Sequence, residues 1–190
     1  MRTKRICIST ALMLMTSSFA FAETSSKSSF ASTVYDPVKT ELVLNLVVTC
    51  TDPIRPGPNA ASKDGERSEI WPIIGGRFDG PGIHGTVEAG GADLPVLRPD
   101  GVEVVDAFYR LKTDDGQIII IHNKGLAYPI KNGQDYKYRL SPEFIAPKGK
   151  YDWLNKSIFV ATLVYPVPKG MELARGPHQN DRLIQVLRLN

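Results

Sequence analysis

Histidine and cysteine are scarce: 190 residues carry three histidines and two cysteines. His84, His122 and His178 stand far apart, and neither Cys7 nor Cys50 lies near one. No zinc-type Cys/His spacing occurs, so no metal site is expected. The glycine-rich run from Gly75 to Gly82 fits neither a P-loop nor a dinucleotide fingerprint, so no cofactor is expected. After position 22 no stretch of 18 or more apolar residues occurs, which argues against membrane insertion of the mature chain. Acidic residues are missing before Glu23, while Arg2, Lys4 and Arg5 lie there. Of 23 basic and 20 acidic residues, those three bases make up the whole excess. Without the first 22 residues the formal charge is zero, so nucleic acid is not an expected partner.

What stands at the N-terminus is an export layout. The three bases precede an apolar run from Ile6 to Met15, and Ala20-Phe21-Ala22 puts small residues before Glu23. The spacing predicts a signal peptide over 1–22, cleaved after Ala22, and a periplasmic or secreted destination in a bacterium. A Ser/Thr-rich flexible leader follows over 23–40, then a single domain over 41–190. Cleavage leaves Cys50 as the one thiol, so no internal disulfide can form. It ends an apolar run between Thr49 and Thr51, which supply neither a base nor a positive charge, and reads as a buried thiol.

From Glu41 onward the chain reads as strands. Leu42 to Val48, Ile70 to Ile74, Ile83 to Glu88 and Val102 to Thr113 are β-rich runs, as are Gln117 to Asn123 and Tyr136 to Leu140. Trp153 to Tyr165 and Arg182 to Leu189 complete the set. Gly75-Gly76 and Gly80-Pro81-Gly82 suggest bulges or corners of a curved sheet, and Gly90-Gly91 a turn. Arg98-Pro99-Asp100-Gly101 reads as a type I turn, and Asp114-Asp115-Gly116 as a hairpin turn. Two Pro/Gly-rich loops are expected, Thr51 to Ser68 and Pro166 to Asp181. Ile118 to Ile121 are four isoleucines in a row, which predicts a strand covered on both faces. The whole reads as all-β, a barrel or a sandwich.

Several separated motifs then fall in register. They are Pro72-Ile73-Ile74-Gly75-Gly76-Arg77-Phe78-Asp79-Gly80-Pro81, Gly90-Gly91-Ala92-Asp93, the Arg98–Gly101 turn and Asp106-Ala107-Phe108-Tyr109. Thr113-Asp114-Asp115-Gly116, Asn123-Lys124-Gly125, and Tyr151-Asp152-Trp153-Leu154-Asn155 with Ile158-Phe159 follow. In order and spacing they resemble the family known as domain of unknown function 3237, over roughly Glu41 to Phe159. The resemblance implies a small closed, mostly antiparallel β-barrel of about eight strands, of the allene-oxide-cyclase kind. Such barrels hold apolar small molecules or run cofactor-independent chemistry on them, a warrant by fold alone. The export signal, the leader and the long loop before the last strand depart from the family pattern.

Period-2 parity selects the candidate site. Tyr151, Trp153 and Asn155 share a face if Trp153 to Tyr165 is one regular strand. Val105, Ala107, Tyr109 and Leu111 form the cleaner apolar face of their strand, which puts Tyr109 inside and leaves Asp106 outside or paired with an arginine. Asn123 shares a face with Ile119 and Ile121. Tyr109, Asn123, Tyr151, Trp153 and Asn155 are therefore the candidate ligand-binding wall, with Arg98 at its polar end. Asp93 and Asp106 are the candidate catalytic carboxylates, provided burial raises their pKa. Against these stand plain roles: packed core for the aromatics, a turn cap for Asp93, a salt bridge for Asp106. Three functions follow: binding a small apolar or aromatic molecule in the barrel, a cofactor-independent lyase, isomerase or cyclase in the same cavity, or a solid interaction module. A homo-oligomer is left open. The N-terminal layout makes one direct prediction: sequencing of the exported protein should read from Glu23, and a chain starting at Met1 would refute the signal.

Overall fold

The computed structural model describes residues 37–57, 61–130 and 135–190. The expected signal and the leader up to residue 36 lie outside the described residues. Among the described residues there are ten strands, all paired antiparallel: β1 (Thr40–Thr51), β2 (Arg67–Ser68), β3 (Trp71–Gly80), β4 (Ile83–Asp93), β5 (Val96–Leu97), β6 (Glu103–Thr113), β7 (Ile118–Pro129), β8 (Tyr136–Ile145), β9 (Phe159–Val164) and β10 (Gln179–Leu189). Around the sheet, β6, β4, β3, β1, β10, β9, β8 and β7 follow one another, and β7 pairs back onto β6. Eight strands thus close an up-and-down barrel, each beside its neighbour in the chain. β2 and β5 form a small flap on the edge of β6.

Alternation explains the core. Val105, Ala107, Tyr109 and Leu111 are buried on β6, and Ile119 and Ile121 on β7, while the residues between them are largely exposed. Glycines bend the wall where two backbones approach. The register of β3 against β4 shifts between Ile73 and Arg77, across Gly75-Gly76. Gly76 has φ +147°, and a Cβ there would lie 2.1 Å from the Val47 carbonyl oxygen. Gly91 leaves the space that Tyr109 fills, since a Cβ on it would sit 2.5 Å from the Tyr109 Cβ.

Three expectations are corrected. Gly90-Gly91 does not turn the chain; it lies within β4, beside a register shift between Glu88 and Ala92. The outer side of β7 is not covered: Ile119 is wholly buried but Ile118 is 45% exposed, because the barrel interior covers only one face. Tyr151, Trp153 and Asn155 do not share a strand face. Asp152–Lys156 is a 3-10 helix, and β9 begins only at Phe159.

That helix bridges the thinnest seam of the barrel. β8 and β9 share a single register pair, Leu140 with Ala161. Beside it, Asn155 accepts a hydrogen bond from the Ala146 N–H at 2.8 Å and donates one to the Ala146 carbonyl at 2.9 Å. The side-chain amide thus stands in for the missing strand partner. On β10, the neighbour of β9 in the wall, the second long loop is pinned by Asp181. Its carboxylate accepts from the Thr49 hydroxyl at 2.6 Å and from the backbone N–H groups of Leu173 and Ala174. Loss of both Asn155 bonds exposes the freed Ala146 groups to water, so Asn155→Ala should cost about 1 kcal/mol in chemical denaturation. An unchanged midpoint would refute the seam-bridging role.

Candidate functional site

Polar side chains gather inside one end of the barrel, the end away from the β6–β7 hairpin. Asp93 closes β4, opposite Trp71 of β3 and Ala107 of β6. Glu103 opens β6, opposite Ala127 of β7. Arg182 lies on β10 opposite Val48, with its guanidinium 4.5 Å from the Trp71 ring centroid and 5.9 Å from that of Tyr165. It donates to the Asn180 side chain. The Trp71 indole N–H donates to Glu69 at 3.1 Å, and Glu69 also accepts from Arg55 at 2.8 Å, so the rim is tied together.

Beneath this mouth is a cavity of about 20 Å³, lined among others by Cys50, Asp93, Tyr109, Asn123, Leu163 and Arg182. Its floor is Tyr109 and Asn123, each 1% exposed. Asp93, Leu163 and Arg182 are half-buried and face the solvent side. The volume is close to the roughly 10–15 Å³ needed for one water and far below the ~300 Å³ of an ordinary small-molecule pocket.

Burial sets the protonation of these groups. It pushes Asp93 up to about 6, against the N–H of Asp106, which donates to it at 3.1 Å, and the charge of Arg182. Burial and the neighbouring charge of Asp93 push Glu103 up to about 7. The Cys50 thiol is pushed up to about 11 by burial and stays protonated, as befits a thiol 2% exposed. The Tyr109 phenol is pushed up most strongly by burial, with the Asn123 amide opposing weakly. Tyr138, at the same mouth, is pushed up to about 12 by burial. Tyr109 Oη and Asn123 Oδ1 have no hydrogen-bond partner among the described residues.

The structure therefore brings together Asp93, Tyr109 and Asn123, and separates the other candidates from them. Tyr151 is buried at the opposite end, where its hydroxyl donates to Asp115 of the β6–β7 turn at 3.0 Å. Ala107 and Thr113 are six residues apart on β6, so the two ends lie roughly 20 Å apart. Trp153 packs at that far end against Phe159, ring centroids 6.0 Å apart, with Arg188 over its face. Asn155 is exposed at the seam. Arg98 is exposed and paired with Asp100 within its own turn. Asp106 is exposed on the outer wall and bonded to His122, a histidine rather than an arginine. His84 and His178 likewise lie outside, each 2.6 Å from an aspartate, Asp114 and Asp52.

Sequence reading passed over Glu103, Arg182, Trp71 and Tyr138. Two of them carried a legible signal. Glu103 shares parity with Val105, Ala107 and Tyr109, and Arg182 with Ile184 and Val186. A charge on the apolar face of a strand is costly unless it has work to do.

A family profile described as Protein of unknown function (DUF3237) matches residues 38–174. A UPF0311 protein of Clostridium acetobutylicum is 32% identical over 132 residues, covering 63% of this chain and 82% of its own. A crystal structure of a protein with unknown function from the same organism aligns at TM-score 0.67 with 28% identity, over 83% of this chain and all of the other. A β-barrel-like protein from Acinetobacter baumannii aligns at TM-score 0.67 with 24% identity, over 83% of this chain and 99% of the other, a likeness of fold.

Charging Asp93 costs stability in the fold. Its folded pKa lies above its ordinary 3.8, so the native state binds the extra proton between about 4 and 6 and loses stability as pH rises through that window. Asp93→Asn removes this cost. After discounting for partial exposure and the Asp106 N–H bond, the variant should be about 1–2 kcal/mol more stable than the parent at pH 8. The advantage should shrink as pH falls from 6 to 4. Denaturation at both pH values checks it, and a gain independent of pH would exclude a buried ionised Asp93.

Proposed function

We propose that the chain, which belongs to the family described as Protein of unknown function (DUF3237), is an exported acid–base enzyme of lyase, isomerase or cyclase type. It takes a small apolar or aromatic molecule at the barrel mouth. The observation that carries the reading is the convergence of Asp93, Tyr109 and Asn123 on one water-sized cavity. A carboxyl poised at about 6 is mostly in its basic form at neutral pH, and lies close enough to neutrality both to take and to return a proton. The protonated Tyr109 phenol is a fixed donor for oxygen of the reacting molecule. Half-buried Trp71, Leu163 and Tyr138 supply apolar area for the rest of it. Export is supported by the residue 1–22 pattern.

A cavity of about 20 Å³ favours a second reading, the solid interaction module. Phe108, Ile118 and Ile145, exposed by 51%, 45% and 64% on the outer wall of β6, β7 and β8, support it. Proton exchange separates the two. In D2O with a panel of enolisable aryl ketones, the protein should speed loss of the α-proton NMR signal, and Asp93→Asn should slow it about 100-fold or more. A rate equal to buffer for every ketone, alike for parent and variant, would leave the module as the better account. Native mass spectrometry from the host organism would then be expected to find a partner protein instead of a small molecule.

A further inference from the structure

Arg182 lies on the inward side of β10 with Ile184 and Val186, half-buried. The Trp71 ring is 4.5 Å from its guanidinium carbon and the Tyr165 ring 5.9 Å. Asn180 accepts one of its hydrogens, and another is directed at the Cys50 sulfur. Its charge is felt by Cys50 of β1, Asp93 of β4, Glu103 of β6 and Tyr138 of β8. Those strands lie all round the barrel, so the guanidinium stands across the mouth and not against one wall.

Four carboxyl groups lie around it, and none is its ion-pair partner among the described residues. Glu69 is taken by Arg55 at 2.8 Å and by the Trp71 indole at 3.1 Å. Asp181 accepts from Thr49, Leu173 and Ala174. Asp93 is turned to the Asp106 N–H at 3.1 Å. Glu103 feels Asp93 and Glu69 more than it feels the guanidinium. A cation on the inward face of a strand is costly without a counter-charge. One kept only to neutralise the mouth would pair with one of these carboxyls.

We infer that Arg182 anchors a carboxylate, and that the molecule taken at this mouth is a small aryl carboxylic acid, its anion on the guanidinium and its apolar body against Trp71, Tyr165 and Leu163. The planar fork has donors to spare for that group, and charge-assisted bonds of this kind are the strong ones. A dianion such as a phosphate monoester would meet the surrounding carboxyls with more repulsion, so a carboxylate fits better. The inference rests on the mouth being a ligand site, as in the reading above, but not on its being catalytic. Arg182 and Asp93 line the same cavity, so an acid held by the one lies beside the proton-moving group of that reading.

The neighbours give binding a pH dependence. Asp93 and Glu103, raised to about 6 and about 7, are mostly protonated at pH 5.5 and mostly ionised at pH 8, where they repel an entering anion. Cys50 and Tyr138 stay protonated throughout, while Glu69 and Asp181 keep the partners named above.

The test titrates the purified protein with phenylacetate and with phenylacetamide, which has nearly the same shape and no charge, followed by NMR. At pH 5.5 phenylacetate should bind about tenfold more tightly than phenylacetamide. The preference should shrink severalfold at pH 8. Arg182→Met should erase it and leave phenylacetamide affinity largely unchanged, with folding checked by circular dichroism. Where Arg182→Met does not fold, the Arg182 side-chain N–H signal of the parent protein decides: phenylacetate should move it and phenylacetamide should not, and a signal unmoved by phenylacetate would overturn the inference. Equal affinity for the two probes, or binding of neither, would overturn it. So would a preference that survives Arg182→Met or grows toward pH 8. Asp93→Asn separates the two proposals: it should slow proton exchange yet preserve the phenylacetate preference. A preference without exchange upholds the anchor and removes the catalytic reading; exchange of neutral ketones without the preference does the reverse.

Discussion

Closure of the sheet governs everything else in this molecule. Because β7 pairs back onto β6 and β1 onto β10, the barrel strands have no free edge, and backbone polar groups along the wall find partners in the neighbouring strand, save at the β8–β9 seam. Eight strands enclose a space that inward side chains nearly fill. Leu44, Leu46, Leu111, Ile119, Ile121 and Val186 are wholly buried in it. The interior is therefore dry through most of its length, and whatever polar chemistry the barrel has is confined to an end. The Asn155 amide on Ala146 belongs to the same constraint, completing the wall where β8 and β9 share one register pair.

At the mouth the same closure sets charge against burial. Asp93, Glu103 and Arg182 come from three strands, and Arg182 is far from the two carboxyls in the chain. Two carboxyls near one guanidinium cannot all be charged cheaply in a half-buried setting, so Asp93 and Glu103 keep protons longer than ordinary carboxyls do. Arg182 tempers the effect from its seat on Trp71 and Tyr165. The far end is treated differently: Tyr151 spends its hydroxyl on Asp115, and Phe144, Phe159 and Trp153 close the bottom with edge-on ring contacts. One end is thus plugged by aromatic packing and the other keeps unspent polar atoms, which is why the mouth and not the bottom is the candidate site.

Much of this was legible in the residues. Period-2 alternation and turn chemistry marked out most of the strands, and the separated motifs carried the resemblance that points to a closed barrel. Strand parity alone put Tyr109 inward and Asp106 outward, because the backbone alternation that carries one residue to the core carries its neighbour to water. It also put Asn123 beside Ile119 and Ile121. Parity misled only where the strand itself was missing. Tyr151, Trp153 and Asn155 sit on or beside a 3-10 turn that the motif does not announce, so spacing by two had no meaning there.

What the chain determined by itself is the local half of the structure: which stretches are extended, where they turn, and which face of each is apolar. Those follow from interactions between near neighbours, namely turn geometry, β-propensity and alternation. The site was decided by tertiary structure. Asp93 and Arg182 are 89 positions apart, and nothing local brings them to one cavity; strand order and register around the closed barrel do. The same register carried Tyr151 to the opposite end from Tyr109, onto Asp115 just beyond the last residue of β6. The cavity volume and the raised carboxyl pKa values depend on how many atoms surround each group, and that number exists only once the sheet has closed.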